Sequence, residues 1–313
     1  MSLTNFPHGV SSFGSPLTGP RFGSPWATHY FVDGIDGADG NTGLTPSTAF
    51  ATIQKAVTVS AGGDVIYIRP KKYTMGTGFA RYTEDVTVEA AGTAGSGQTV
   101  PNARKSIIGV SPLGVASDFL GVRWKFATAT NLNVEAAGTH IENIGFFAEG
   151  ATYGVYFEGD GSTYGKNGHT GSSLYNCSIK GEGGVRANGS DSLQIIKCQF
   201  QAKSDGTVCG MIITTDGTNV CRRPVLRGCH FIGGNGTAMS AAPIIWTGGV
   251  ADGLIADNDF GLGTSVQINI ATASTGLITR NFFAEADLST TFIVQNGMVC
   301  VANWDLTGIQ ETA

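Results

Sequence analysis

Two carboxylates one residue apart, Asp257 and Asp259, are best spaced for acid–base chemistry in this chain, and Arg280 and His230 hold corresponding places in neighbouring copies of a short repeat. Glycoside hydrolysis needs two carboxyl groups facing one groove, about 5 to 9.5 Å apart. Polysaccharide lyases need a basic residue beside a neutraliser of uronate charge, often carboxylate-bound calcium. If the residue between the aspartates, Asn258, points inward, its neighbours point outward, because side chains alternate along a strand. Up the repeat, the outward residue before that position reads Asn176, Lys197, Gly228, Asp257, Arg280, and the one after reads Ser178, Gln199, His230, Asp259, Phe282, Trp304. Asp257, Asp259 and Arg280 are therefore the one catalytic constellation the spacing builds, a glycosidase pair with a cation above it. The plainer reading, which we adopt with no catalytic residue assigned, is an exposed ion pair between Asp257 and Arg280, worth ~0 to 1 kcal/mol. Phe282 and Trp304 suit either a sugar-stacking platform or an oligomer seam.

Other chemistry is thinner. Asp33, Asp36 and Asp39 are spaced closely enough to suggest calcium, but no bidentate Glu closes the loop, and Asp-Gly pairs form turns in their own right. The Cys at 177, 198, 209, 221, 229 and 300 lack paired C-x-x-C spacing for zinc. Cys177, Cys198 and Cys229 occupy one phase of successive repeats, so they read as buried thiols in a core ladder that Asn258 and Asn281 continue. No phosphate-binding loop or Gly-x-Ser-x-Gly elbow occurs, and no cofactor is expected. The polar stretch 158–172 carries Tyr164, Lys166 and His169, the loop candidates for ligand contact.

The element that must position these residues is the repeat itself. Its copies are Leu174-Tyr-Asn-Cys177-Ser-Ile179, Ile195-Ile-Lys-Cys198-Gln-Phe200, Leu226-Arg-Gly-Cys229-His-Phe231, Ile255-Ala-Asp-Asn258-Asp-Phe260 and Ile278-Thr-Arg-Asn281-Phe-Phe283, with a looser copy at Ile141–Phe146 and a degenerate one around Asn303; they fall 21 to 33 residues apart. One apolar strand per period with Gly-rich joints is the mark of a solenoid, whose rungs bury their apolar side only by stacking. Val86–Val88, Ser106–Ile108 and Val122–Phe126 read as irregular early rungs.

Composition agrees. Of 313 residues 46 are Gly, and 14% are charged, against roughly 25% in ordinary globular chains. The formal net charge is −5, with Lys and Arg scattered, so no phosphate-binding face is expected and nucleic acid is excluded as a partner. No run reaches the ~18 to 20 apolar residues of a membrane span, and the N-terminus has no signal-peptide pattern; synthesis in a cytoplasm is the expectation. Residues 1–28 hold Phe6, Phe13, Phe22 and Trp26 among Gly, Ser and Pro, with Phe-Gly-Ser-Pro at 13–16 and 22–25. Large apolar side chains alternating with backbone breakers suggest an extended strap that docks its aromatics on another protein, reaching roughly 90 Å at ~3.3 Å per residue.

Residues 30–68 run Tyr30-Phe-Val-Asp-Gly-Ile-Asp-Gly-Ala-Asp-Gly-Asn-Thr-Gly, then a stretch in which Phe50, Ile53, Ala56 and Val57 share one helix face behind a Ser47 or Thr48 cap, then Gly63-Asp-Val-Ile-Tyr-Ile68. This segment resembles the leading part of right-handed parallel β-helix proteins of the pectin-lyase-like group, including many bacteriophage virion proteins. The resemblance implies an all-β fold: an arm at 1–28, a strand, Gly/Asp loop and capping helix at 29–62, and a right-handed parallel β-helix at 63–313. It further implies a homotrimer in the virion. The functional expectation is a non-enzymatic capsid decoration (cement) protein whose partners are the major capsid protein or other virion proteins, anchored through Phe6, Phe13, Phe22 and Trp26. The alternative is a tailspike or tail-fibre protein that binds or cleaves host polysaccharide through Asp257, Asp259 and Arg280.

Overall fold

A computed structural model describes residues 11–12, 15–16, 27–71, 73–74, 78–89, 104–110, 121–128, 130–151, 153–159, 170–182, 184–189, 191–202, 210–214, 221–232, 242–261, 266–284, 293–305 and 310–311. Among them, three long sheets take their strands in rotation from Tyr82 to Asp305, with a short extra pair at Cys221–Arg222 and Val250–Ala251. One coil shows the plan: His140–Glu142 lies in the first sheet, Ile144–Ala148 in the second and Tyr153–Phe157 in the third, and Ser173–Tyr175 then returns to pair in parallel with His140–Glu142. The first sheet runs from His29–Val32 to Val299–Val301, the second from Tyr82–Thr83 to Asn303–Asp305 with Gln310–Glu311 added antiparallel at its edge, and the third from Val86–Val88 to Ile293–Val294. The chain is a parallel β-helix, and its right hand follows from the twist of L-residue strands.

Stacking in register turns each inward position into a column. In the first sheet Ile66, Ile107, Ile141, Leu174, Ile195, Leu226, Ile255 and Ile278 are fully buried. In the second, Phe200, Phe231, Phe260 and Phe283 stack with centroids 4.8, 4.8 and 5.0 Å apart and planes within 12°. Parallel in-register strands dictate this geometry, since their ~4.8 Å spacing suits face-to-face rings.

The residue before each Cys or Asn of the repeat is not a strand position. Asn143, Asn176, Lys197, Gly228, Asp257, Arg280 and Ala302 all have φ between 49° and 64°, so each is a one-residue left-handed corner from the first sheet to the second. Asn and Gly tolerate that conformation best; the outward face of this column comes from the corner, not from strand alternation. From Asn143 to Arg280 each corner N–H still bonds the coil above, as Asp257 N does to Thr279 O at 3.1 Å. The next N–H turns inward, and a side chain from the coil above satisfies it: Cys229 Sγ accepts from Cys198 N (3.4 Å), Asn258 Oδ1 from Cys229 N (2.9 Å) and Asn281 Oδ1 from Asn258 N (3.1 Å). The same side chains donate back to first-sheet carbonyls, Cys229 to Ile195 O at 3.7 Å and Asn258 to Leu226 O at 3.2 Å. This exchange explains why the position accepts Cys in the earlier copies and Asn in the later ones, and it matches the expected core ladder. Cys177, Cys198, Cys221 and Cys229 are buried free thiols, and burial pushes the Cys177 thiol up to about 12.

The N-terminal end is closed by a helix at Ile53–Val59, which buries Ile53, Ala56 and Val57. Its cap is Thr52, whose hydroxyl accepts from Lys55 N at 3.3 Å, and not Ser47 or Thr48, which belong to a separate 3-10 turn at Pro46–Thr48. Phe50 precedes the helix and bridges to Val32, and His29–Val32 is itself the edge strand of the first sheet, paired with Val65–Ile68. The Glu84 carboxylate accepts from Ile53 N and Gln54 N, at 3.0 and 3.1 Å, at the helix start. Lys105 Nζ donates to Val57 O at 2.7 Å near the helix end, complementing the dipole at both ends.

Candidate functional site

The corner column decides what Asp257 does. Its carboxylate accepts from Arg280 Nε at 2.6 Å and Nη2 at 3.0 Å, and from Arg227 Nε, one coil earlier, at 2.8 Å. The Arg280 guanidinium first, and Arg227 after it, hold the Asp257 carboxyl below the usual carboxylate range. Asp259 lies on the second sheet in register with His230, and its carboxylate meets His230 Nδ1 at 3.2 Å. Asp257 is thus the corner itself and Asp259 opens the strand that follows it, each engaged with neighbouring coils. A hollow of about 610 Å³ runs below them, lined by Asn176, Lys197, Gln199, Gly228, His230 and Ile232 among others. Phe282 and Trp304 continue the Asp259 column, in register and about two-fifths exposed.

The aspartates of the leading loop serve the fold. Asp33 accepts from Ile35 N at 2.9 Å and Asp36 N at 3.3 Å and pairs with Arg69, which also meets Asp36 at 3.1 Å. Asp39 accepts from Ala51 N, Thr52 N and Thr52 Oγ1 at 2.8 to 3.0 Å. The Arg69 guanidinium engages Asp33 and Asp36 while Asp39 is turned to Ala51 and Thr52, and no cluster of three His, Cys, Asp or Glu suited to a metal occurs among the described residues. Tyr164, Lys166 and His169, and the arm aromatics Phe6, Phe13, Phe22 and Trp26, lie outside the described residues.

The outer face of the third sheet carries a group that residue spacing did not reveal. Thr87, Asn133, Tyr156 and Arg186 follow one another in register on successive coils. With Asp85, Val86, Thr130 and Tyr153, the first three line a hollow of about 380 Å³. The Tyr153 and Tyr156 rings lie 5.0 Å apart at 37°. Their hydroxyls are pinned from the next coils, Tyr153 accepting from Arg186 Nη1 and Tyr156 from Asn188 Nδ2, both at 2.6 Å. Asn133 Nδ2 lies 2.9 Å from Glu158 and 3.4 Å from Glu135, so carboxylates of adjacent coils converge on one amide beside the hollow. Asp85 serves the chain, accepting from Ala127 N at 2.7 Å and Thr128 N at 2.8 Å. The signal available in the sequence was the Tyr153-Gly-Val-Tyr156 strand; its neighbours come from coils joined by connections of unequal length.

No protein-family model matches the sequence, and no curated protein matches it. Among solved structures, pectate lyase Pel9A is similar with a TM-score of 0.45 and 12% identity, over 88% of this chain and 75% of that one. The pectin methylesterase from Aspergillus niger is similar with a TM-score of 0.38 and 13% identity, over 89% and 83%. A rhamnogalacturonan lyase is similar with a TM-score of 0.38 and 12% identity, over 92% and 89%. The likeness is one of fold alone, to parallel β-helix proteins named for acting on polysaccharides, and it carries no bacteriophage relation.

Proposed function

We propose that the chain is a non-enzymatic structural protein of a bacteriophage virion, a capsid decoration protein that residues 1–28 anchor to the shell, with the β-helix as a homotrimeric rod. The observation that supports this reading is the use to which the rod puts its acids. Asp257 lies between Arg227 and Arg280, Asp259 meets His230, and Asp33 and Asp36 share Arg69. Each of these carboxylates ties one part of the solenoid to another, which stiffens a rod. The lowered proton affinity of Asp257 unsuits it to the general-acid place of a glycosidase pair, which needs a raised one. The arm supplies the attachment in this reading, through Phe6, Phe13, Phe22 and Trp26.

The test is to express the full chain and a form lacking residues 2–28, measure their mass by light scattering, and titrate both onto emptied, undecorated phage capsids. Saturable binding by the full chain alone is expected. Equal binding by both forms, or none by either, ends the decoration reading.

A further inference from the structure

We propose that the outer face of the third sheet is a binding site for a neutral oligosaccharide, centred on Tyr153 and Tyr156. The proposal goes beyond virion attachment: it assigns the rod a ligand of its own, independent of the arm.

Three observations converge on this face. The first is an aromatic pair held in advance of any ligand. Both hydroxyls are fixed by side chains of the following coils, Arg186 and Asn188, and the Arg186 guanidinium also lies 5.2 Å from the Tyr153 ring centroid. Rings whose rotamers are locked by neighbours lose little entropy when a ligand stacks on them. The second is the lining. Thr87, Thr130 and Asn133 set hydroxyls and an amide around the rings, which suits a pyranose, whose C–H face packs on an aromatic ring while its hydroxyls bond polar groups at the rim. The hollow follows the stacking direction, because its lining residues Thr87, Asn133 and Tyr156 occupy one column on three successive coils. At ~4.8 Å per coil that column extends about 10 Å, room for about two sugar units.

The third observation is charge. Asp85 lines the hollow, Glu135 and Glu158 meet at Asn133 on its edge, and the Arg186 guanidinium beside it is engaged with Tyr153. A surface with this balance repels a uronate chain. No group of three metal-ligating side chains occurs among the described residues to reverse that sign. Neutral hexose or N-acetylhexosamine units are the sugars left by this charge, and polygalacturonate is the sugar it rejects.

The test uses the full chain and saturation-transfer NMR followed by calorimetry, with maltohexaose, cellohexaose and chitohexaose as neutral probes and a polygalacturonate oligomer as the acidic one. At least one neutral probe should bind with a millimolar or tighter Kd, and polygalacturonate should not. Tyr156→Ala should weaken that binding about tenfold or more, the equivalent of ~1.4 kcal/mol. Because that change also removes the partner of Asn188, Thr87→Arg provides a second variant, which fills the opposite wall and leaves both rings in place; it too should weaken binding about tenfold. Removing residues 2–28 should leave the affinity unchanged, which separates this proposal from the capsid reading. Failure of all three neutral probes, tighter binding of polygalacturonate, or neutral binding unaffected by Thr87→Arg in a folded variant would each overturn it.

Discussion

Replacing Asn281 by Ala tests whether the inward Cys/Asn column holds the coils together. The Asn281 side chain is fully buried and makes four hydrogen bonds. Its oxygen accepts from Asn258 N at 3.1 Å and Asn258 Nδ2 at 2.9 Å, and its nitrogen donates to Ile255 O at 3.1 Å and Asn303 Oδ1 at 2.9 Å. Alanine leaves the Asn258 N–H and one of the two Asn258 Nδ2 protons without an acceptor inside the core; the other Nδ2 proton keeps Leu226 O, and Asn303 Oδ1 keeps the Asn281 N–H. At roughly 1 to 3 kcal/mol for each orphaned buried donor, the loss should come to about 3 to 5 kcal/mol. Asn281→Cys should cost less, about 1 to 2 kcal/mol, because Cys229 already performs this task for Cys198 N. Urea denaturation supplies the stability difference, and hydrogen exchange supplies its location. In a solenoid stability is a sum over neighbouring repeats, so protection should fall in the coils spanning 253–305 and persist in those spanning 140–201. An Ala variant within about 1 kcal/mol of the parent, or Ala and Cys variants of equal stability, would refute the reasoning.

Three further outcomes are expected. Phe231→Ala breaks a stack in which the ring lies 4.8 Å from both Phe200 and Phe260; thermal or urea melts should show a loss of about 3 to 5 kcal/mol. Asp257→Asn should cost less than about 1 kcal/mol at neutral pH, since both of its arginine pairs are solvent-exposed. The Asp257 carboxyl is held below its ordinary range by Arg280 and Arg227, so this contribution is present above the ordinary value and lost as pH falls through the lowered one; the two proteins should converge there. Loss of a polysaccharide-cleaving activity in this variant would instead favour the tailspike reading. Lys105, whose burial lowers its ammonium from 10.5 to about 8, shifts in the same direction at higher pH. The unfolded chain holds the proton between those values and the folded one does not, so this group's contribution rises with pH across that window. The stability of the parent relative to Lys105→Met, measured by urea melts, should therefore increase from pH about 8 to about 10.5 and level off above.

The parallel β-helix was legible because its signals are local and repeated. Leu174, Ile195, Leu226, Ile255 and Ile278 share a phase in the sequence and form one buried column in the structure. The core place of Cys177, Cys198, Cys229, Asn258 and Asn281 was readable from the same phase. The helix cap was misplaced by a few residues, since Thr45 to Thr48 form a turn of their own before Thr52 opens the helix. The corner at Asp257 was hidden because a single residue with φ of 57° leaves inward and outward positions in the order a continuous strand would give.

The sequence by itself determined the rungs, the inward columns and the absence of a concentrated basic face, because periodic burial and composition are properties of the chain read one repeat at a time. Only the tertiary structure decided what the outward residues meet. Asn133 faces Glu158, Tyr153 faces Arg186 and Tyr156 faces Asn188 across 25 to 33 residues of chain. Asp257 is claimed by arginines 23 and 30 residues away. Coil lengths differ, so no fixed spacing aligns these partners beforehand; the stacking of the coils sets them side by side and so decides which acids become ion pairs and which edge an open hollow.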